Sequence, residues 1–271
     1  MSTVSGAVGH GHPVEPLPPV GAAGIIVYRN YLSYRSAWYI FLTGFLEPVF
    51  YLFSIGVGVG KLIESFEFHG ETIGYAAFVA PAMLATSAMN GAVLDSTFNF
   101  FFKLKFTKLF DQILATPMST RDVAVGELTW CLLRGGIYSF GFLGVMAGMG
   151  LVESWWAVLA LPASLLIGFA FAGACLALTT YMRSWQDFEY VSLATIPMFL
   201  FSATFFPVTA FPGALRWVVE VTPLYRGVVL CRELTTGVLS WGSAVSVVYL
   251  LVMGVLGLLL ARRRLDALLL T

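Results

Sequence analysis

Long apolar runs, separated by shorter polar segments, make up most of this 271-residue chain. A helix needs about 20 mostly apolar residues to cross a bilayer. Six runs meet or approach that length, and we predict one membrane-spanning helix for each. The predicted spans cover residues 39–60, 75–101, 130–152, 156–181, 190–206 and 241–261. The pattern therefore predicts an all-α integral membrane protein with six transmembrane helices.

Three segments are too polar or too interrupted to span. Residues 24–38 mix apolar side chains with Arg29 and Arg35, which is typical of an amphipathic helix lying in the membrane interface. Residues 103–121, between the second and third spans, combine Leu and Phe with basic residues and predict a short amphipathic helix. Residues 207–237 contain three prolines and predict short re-entrant helices before the sixth span.

The distribution of Lys and Arg predicts the orientation. If both termini are cytoplasmic, eleven basic residues lie on the inner side and four on the outer side, as the positive-inside rule requires. The inner residues are Arg29, Arg35, Lys103, Lys105, Lys108, Arg121, Arg134, Arg183, Arg262, Arg263 and Arg264, and the outer ones are Lys61, Arg216, Arg226 and Arg232. Residues 1–22 then form a flexible cytoplasmic tail, residues 23–265 the transmembrane domain, and residues 266–271 a second cytoplasmic tail.

Composition supports the membrane class. Hydrophobic residues make up 58% of the chain and charged residues 11%, against roughly 25% charged in an average soluble domain. A net charge of zero gives no bulk attraction to nucleic acid, and we expect no nucleic-acid partner. The three cysteines stand far apart without a CxxC or Cys/His spacing, so we predict free buried thiols and no metal site.

A glycine-rich sequence, GVGVGKL, superficially resembles a phosphate-binding loop. It has three residues rather than four between Gly56 and Gly60, and Leu62 stands where a Ser or Thr must hold magnesium. We interpret it as a helix-packing face, and Gly144 and Gly148 in the third span as another. No catalytic motif stands out, so we expect no enzyme and no ATPase site in this chain.

Ionisable and amide groups inside predicted spans are costly unless they find partners. In the second span, Asp95 and Asn99 share one helical face with Ser87 and Gly91, because the four recur every four residues. The candidates for a translocation path are Glu47, Asp95, Asn99, Glu127 and Arg134. Two hypotheses stay open for them: they pair with one another and hold the bundle together, or they line a substrate path.

Two segments resemble the permeases of the ABC-2 family. LATPMSTRDVAVGE, at residues 114–127, resembles the cytoplasmic signature of that family, and residues 205–237 are similar to its extracellular re-entrant helices. Residues 87–106 and 181–191 resemble the nodulation-type lipo-oligosaccharide exporters, a branch that we weigh against the daunorubicin-type drug-resistance permeases. The resemblance extends over residues 24–265.

The resemblance implies an exporter in the plasma (inner) membrane of a bacterium. Two permease chains, forming a homodimer or a pair with a close homologue, would bind two cytoplasmic ABC ATPase subunits that hold ATP and Mg. The substrate would be amphipathic or lipid-linked: a glycolipid, a lipo-oligosaccharide or polysaccharide precursor, or a hydrophobic drug.

By position, the resemblance also implies two groups of functional residues. The candidates for coupling to the ATPase are Arg29, Arg35, Lys105, Lys108, Asp111, Leu114, Thr116, Pro117 and Met118. The candidates for an outer gate are Phe206, Pro207, Pro212, Pro223, Leu224 and Arg232.

The alternative function is an ATP-independent secondary transporter or channel. That class predicts an inverted repeat with broken helices in both halves of the chain, whereas the one re-entrant candidate here lies in the second half. A membrane-embedded enzyme is a third hypothesis. The sequence leaves the substrate and the choice between homodimer and heterodimer open.

Overall fold

The computed structural model of the chain describes residues 21–35, 46, 48–61, 65–68 and 71–269. Glu47 and most of the N-terminal half of the predicted first span lie outside these described residues.

The described chain is almost entirely helical. Its helices are α1 (Ala22–Arg35), α2 (Pro48–Gly60), α3 (Tyr75–Phe106), α4 (Leu109–Leu114), α5 (Thr120–Gly148), α6 (Trp155–Thr179), α7 (Phe188–Leu200), α8 (Gly213–Val221), α9 (Pro223–Thr236) and α10 (Trp241–Leu269). Four of them, α3, α5, α6 and α10, are long and apolar enough to cross a membrane. The wider, π-type turns of α3 lie at Asp95–Asn99 and Phe102–Phe106.

A small hairpin interrupts the helical fold between α2 and α3, in the polar segment that separates the first two predicted spans. Strand β1 (Ser65–Phe68) pairs antiparallel with β2 (Glu71–Gly74), and Ser65 stands opposite Gly74. A strand of four residues gives too short an alternation for the polar and apolar pattern to reveal it.

The bounds of two helices differ from those of the predicted spans. Helix α5 starts at Thr120, ten residues before the predicted third span, because a capping box closes its first turn: the Asp122 backbone N–H donates to Ser119 Oγ, and the Ser119 N–H donates to the Asp122 carboxylate. Helix α7 has 13 residues and ends at Leu200, so it is shorter than the predicted fifth span, and turns follow it.

Glycines permit the tightest helix pairing, between α6 and α10. A Cβ added at Gly173 would lie 2.5 Å from the carbonyl oxygen of Gly254, and one added at Gly257 would lie 2.4 Å from the backbone nitrogen of Ala174. The two backbones approach this closely because no side chain separates them. The sequence analysis did not single out these glycines.

The glycines that were predicted as packing faces behave differently from one another. Gly56 lies against α3, since an added Cβ would meet Ala76 Cβ at 3.7 Å. An added Cβ at Gly144 or Gly148 would meet nothing within 4 Å among the described residues. Neither of these two glycines therefore brings another described helix close.

Helix α1 runs beside the first half of α5. A Cβ added at Gly126 would lie 2.8 Å from Ile26 Cβ, and the Tyr34 and Trp130 ring centroids are 5.4 Å apart. These contacts advance together along both helices, so α1 packs along α5 as well as presenting a free face. That free face carries aromatic residues beside Arg29, while the buried face includes Asn30, so the polar and apolar sides are less segregated than predicted.

Candidate translocation and coupling sites

A buried ion pair lies between α3 and α5. The Arg134 guanidinium donates to Asp95 Oδ1 at 2.6 Å, and both residues are 5% exposed. Arg134 Nε also donates to the Tyr138 hydroxyl at 2.9 Å, and Asn99 Nδ2 donates to Asp95 Oδ1. In apolar surroundings a charge pair is tolerated best when further hydrogen bonds satisfy it, and here Arg134 Nε and Asp95 Oδ1 each make one more.

A second polar cluster ties three helices together. Lys103 Nζ, on α3, donates to Glu127 Oε2 at 2.6 Å and to Asn30 Oδ1 at 3.0 Å. Asn30 Nδ2, on α1, donates to Glu127 Oε1 on α5 at 3.2 Å. Glu127 and Asn30 are both buried. The cluster therefore fixes α1 against α3 and α5 by direct hydrogen bonds.

Three of the predicted translocation residues contact one another, since Asp95 bonds to both Asn99 and Arg134. Glu127 bonds instead to Lys103 and Asn30, and Glu47 lies outside the described residues. Asp95 and Asn99 share a face and hydrogen-bond to each other. Glu127 and Arg134 also share a face, yet each takes a different partner on α3. The second hypothesis, that these residues line a substrate path, stays open because Arg134 also lines a cavity.

The cavity has a volume of about 410 Å³, within the usual range for small-molecule sites. It lies between α2, α3, α5 and α7 and is lined by Pro48, Tyr51, Met83, Thr86, Ser87, Asn90, Gly91, Leu94, Arg134, Tyr138, Thr195, Ile196, Phe199 and Leu200. Apolar side chains of α3 and α7 make up much of the wall. The predicted Ser87 and Gly91 face of α3 supplies part of the polar remainder.

Asn90 is an exposed polar group of this wall. It lies near the middle of α3, and its carboxamide has no hydrogen-bond partner in the part of the chain that the structure describes. Within a bilayer, a polar group without a partner is costly. A residue outside the described part of the chain, water, a ligand or a second chain would each supply such a partner.

The segment after α3, where the sequence predicted a short amphipathic helix within residues 103–121, consists of three pieces. Lys105 belongs to the last turn of α3, Lys108 takes a left-handed conformation with φ 45° and ψ 37°, and α4 then starts at Leu109. Leu109 and Phe110 are buried, and the Phe110 ring centroid lies 4.9 Å from that of Phe100. Helix α4 is thus anchored directly to the end of α3.

The outward side of this segment carries most of the predicted coupling residues. The exposed members are Lys105, Lys108, Asp111, Thr116 and Pro117, and the half-buried ones are Leu114 and Met118. Arg29 and Arg35 are exposed on α1, which the Asn30 cluster connects to α3. Helix α4 is therefore anchored on one side and presents an exposed surface of polar and apolar residues on the other.

Arg232, a predicted gate residue, lies in the protein core. Its Nε donates to the Phe78 carbonyl at 3.1 Å, and its Nη2 donates to the Ala203 carbonyl at 3.0 Å. The guanidinium also lies 3.7 Å from the centroid of the Phe78 ring. Arg232 thereby holds α9 to α3 and to the turn after α7.

The remaining gate candidates do not form one surface. Phe206 and Pro212 are exposed, Leu224 is fully buried, and Pro207 and Pro223 are intermediate. Pro223 is the first residue of α9, a position where a missing N–H has no cost. The prolines thus start helices and short turns, which explains why this segment is broken.

Several residues of these clusters were missed by the sequence analysis. Lys103 continues the spacing of Asp95 and Asn99 by four residues, a signal that would have placed it on their face. Glu233 is buried and accepts hydrogen bonds from Ser240 and Ser243, so that it caps the start of α10. Asn30, Tyr34 and Tyr138 also take part, and nothing in their local sequence indicates a partner.

A metal site was not expected. Among the described residues, no three His, Cys, Asp or Glu side chains come together in a way that would hold a metal ion. The three cysteines are buried free thiols.

Four helices long and apolar enough to cross a bilayer, with buried charge pairs between helices, are typical of an integral membrane protein. The family described as ABC-2 type transporter matches residues 22–235. The chain therefore belongs to the ABC-2 type transporter family.

Curated relatives agree with this assignment. Nodulation protein J of Rhizobium meliloti (strain 1021) is 31% identical over 228 residues, which cover 83% of this chain and 85% of the relative. Nodulation protein J of Rhizobium leguminosarum bv. viciae is also 31% identical, over 83% of this chain and 86% of its own. That of Sinorhizobium fredii (strain NBRC 101917 / NGR234) is 32% identical, over 75% and 77% respectively.

Proposed function

We propose that this chain is the permease subunit of an ABC exporter. It moves an amphipathic or lipid-linked substrate out of the cytoplasm or the inner leaflet, and a separate subunit hydrolyses the ATP. The observation that carries the proposal is the cavity between α3, α5 and α7, which combines an apolar wall with Ser87, Asn90 and the Arg134 ion pair. A site of this mixed chemistry accommodates a molecule with both a polar and an apolar part.

The candidate substrates are those implied by the resemblance: a glycolipid, a lipo-oligosaccharide or polysaccharide precursor, or a hydrophobic drug. The nodulation-protein names of the relatives favour the lipo-oligosaccharide branch. Because Asp95 neutralises Arg134, the cavity carries no net charge from this pair. That arrangement favours an uncharged polar part over a strongly charged one.

A second permease chain completes the transporter in this proposal. Of the 13 residues of α7, Val191 alone is buried, while Tyr190 and Leu193 are each 70% exposed. Helix α7 also forms one side of the cavity through Thr195 and Phe199. A second chain packed against α7 would close the cavity from the lipid.

Two cytoplasmic ABC ATPase subunits, carrying ATP and Mg, would dock on the exposed side of α4. Asp111 on α4 and Thr116 just after it are both exposed, and burial of Phe110 supplies the mechanical connection to α3. The four long helices, together with α2 and α7, make the six proposed spans. Both termini are then cytoplasmic in a bacterial inner membrane.

The test is affinity purification of the tagged chain from native membranes into lipid nanodiscs. We expect an ABC ATPase to co-purify, identified by mass spectrometry, and the complex to show vanadate-sensitive ATP hydrolysis. Asp111→Ala should lower the recovery of the ATPase several-fold. Glu189→Ala, a matched exposed acid outside α4, should not.

Two results would contradict the proposal. One is a purified, functional protein without any ATPase partner. The other is substrate movement that continues without ATP, which would favour the secondary transporter or channel.

A further inference from the structure

Polar side chains from three helices form two hydrogen-bonded clusters, together called the ring, between the coupling segment and the cavity, and α1 contributes one residue to each cluster. The members of the ring are Asn30 and Tyr34 on α1, Asp95, Asn99 and Lys103 on α3, and Glu127 and Arg134 on α5. On each helix the members follow one another at intervals of four or seven residues, so they share one face. Helix α1 therefore contacts both ion pairs of the ring.

Asn30 uses both ends of its carboxamide in the first pair. Its Nδ2 donates to Glu127 and its Oδ1 accepts from Lys103, and the residue is 1% exposed. A buried amide held by two charged partners has one favourable orientation, because turning it would place a donor against the ammonium group. Asn30 consequently fixes α1 relative to α3 and α5.

Tyr34, one helical turn after Asn30, contacts the second pair. Its hydroxyl accepts a hydrogen bond from Arg134 Nη1 at 3.4 Å, and the guanidinium carbon lies 5.1 Å from its ring centroid. The Tyr34 ring also packs against the Trp130 ring, and the two ring centroids lie 5.4 Å apart. The position of Tyr34 therefore influences where the guanidinium lies.

The ring reaches the cavity at Arg134. Arg134 and Tyr138 line the cavity wall, and Arg134 Nε donates to Tyr138. At its other end, the ring includes Lys103, in the last turns of α3 before the coupling segment. A movement of α1 is thus connected to the cavity wall through the hydrogen bond between Tyr34 and Arg134, and Lys103 is connected to it through Asn30 on the same helix.

We infer that Asn30 and Tyr34 are positioning residues that transmit movement of α1 to Arg134 and so set the shape of the cavity. The inference rests on the proposed function, because the movement would originate at the ATPase. Breaking one hydrogen bond of a buried network leaves its partner unsatisfied, so such a network changes between discrete arrangements rather than continuously. Movement of α1 without a change at Arg134 would break the bonds to Tyr34.

The experiment measures access to the cavity in the complex with the ATPase subunit. Asn90→Cys, in an otherwise unchanged chain whose own described cysteines are buried, is labelled with a membrane-impermeant maleimide. The labelling rate is compared in the nucleotide-free state and with ATP plus vanadate. We expect ATP plus vanadate to change this rate at least threefold.

Tyr34→Phe removes the hydroxyl and keeps the ring, so it should abolish most of the ATP-dependent change while leaving the rate of ATP hydrolysis within twofold. Asn30→Leu should act in the same direction. The matched control is Tyr31→Phe on the exposed face of α1, which should preserve the full change. If Tyr34→Phe responds to ATP as Tyr31→Phe does, the inference is wrong whether or not Asn30→Leu folds.

The outcomes separate the inference from the proposed function. If Asn90→Cys alone shows no ATP-dependent labelling in an active complex, the proposed function of the cavity fails and the inference with it. If labelling of Asn90→Cys depends on ATP, and Tyr34→Phe and Tyr31→Phe leave that dependence equally unchanged, the inference alone fails.

Discussion

Helices α6 and α7 are both apolar, yet their surroundings are opposite. In the α-helical part of α6, Ala160–Thr179, thirteen of twenty residues are buried, whereas one of thirteen is buried in α7. The segment Ala160–Thr179 is rich in Ala and contains Gly168 and Gly173, while α7 carries mostly larger side chains. Small residues let α10 approach α6 closely. Residue size, more than hydrophobicity, therefore distinguishes the buried scaffold helix α6 from the exposed helix α7.

The attachment of α7 to the rest of the chain follows the same division. Its first residue, Phe188, belongs to an aromatic cluster with Phe98, Phe102 and Trp185, whose ring centroids lie 5.0–5.5 Å apart. The cluster fixes the start of α7 to α3. Apart from Val191, the other residues of α7 are exposed or half-buried, and some of them line the cavity.

The largest expected effect concerns the buried ion pair beside the cavity. Arg134→Met leaves the Asp95 carboxylate without its cation, and we expect a loss of about 3–5 kcal/mol in the free energy of unfolding, since one partner of a buried pair is removed. Thermal unfolding in nanodiscs measures it. The control is Arg216→Met, in an exposed ion pair on α8, where the loss should be at most about 0.5 kcal/mol. Equal losses of stability for Arg134→Met and Arg216→Met would show that the buried ion pair does not stabilise the fold more than an exposed one.

Overpacking of the interface between α6 and α10 should have the next largest effect. Gly173→Leu forces a side chain against the α10 backbone, and we expect about 3 kcal/mol of destabilisation. Gly144→Leu, where no described atom lies near, should change stability little. If Gly173→Leu and Gly144→Leu changed the free energy of unfolding equally in a denaturation series, close packing of α6 would not explain why it is buried.

The smallest effect on folding is expected on α7. Leu193→Arg should leave the unfolding temperature almost unchanged but weaken association with a second permease chain by about 2 kcal/mol, as for a central interface residue. Single-molecule photobleaching counts the chains per nanodisc. Val252→Arg, half-exposed on α10, is the matched control. Unaltered dimers with Leu193→Arg would remove α7 from the proposed interface.

The sequence predicted those features of the helices that depend on the residues of a single helix. The predicted second and sixth spans start at Tyr75 and Trp241, the first residues of α3 and α10. The shared face of Asp95 and Asn99 was predicted because it depends only on the period of one helix. The start of a span can be predicted in this way because a long uncharged run lies within one continuous stretch of sequence.

The contacts between helices could not be predicted in the same way. Asn30 and Glu127 are 97 residues apart in the chain, and Lys103 and Asn30 are 73 apart. Periodicity shows which face a side chain occupies and not which helix it meets. The end of α7 at Leu200 was also missed, because the apolar run continues while the helix stops. The site residues remain predictions until they are tested.

The central claim is that the cavity beside Asn90 holds an amphipathic substrate, and mass spectrometry of molecules bound to the purified complex tests it most directly. We predict that the parent complex in nanodiscs retains an amphipathic molecule enriched over bulk membrane lipid. Asn90→Trp, which fills the cavity, should lose that molecule, and Val252→Trp should keep it. Equal retention by the parent, Asn90→Trp and Val252→Trp would contradict the claim.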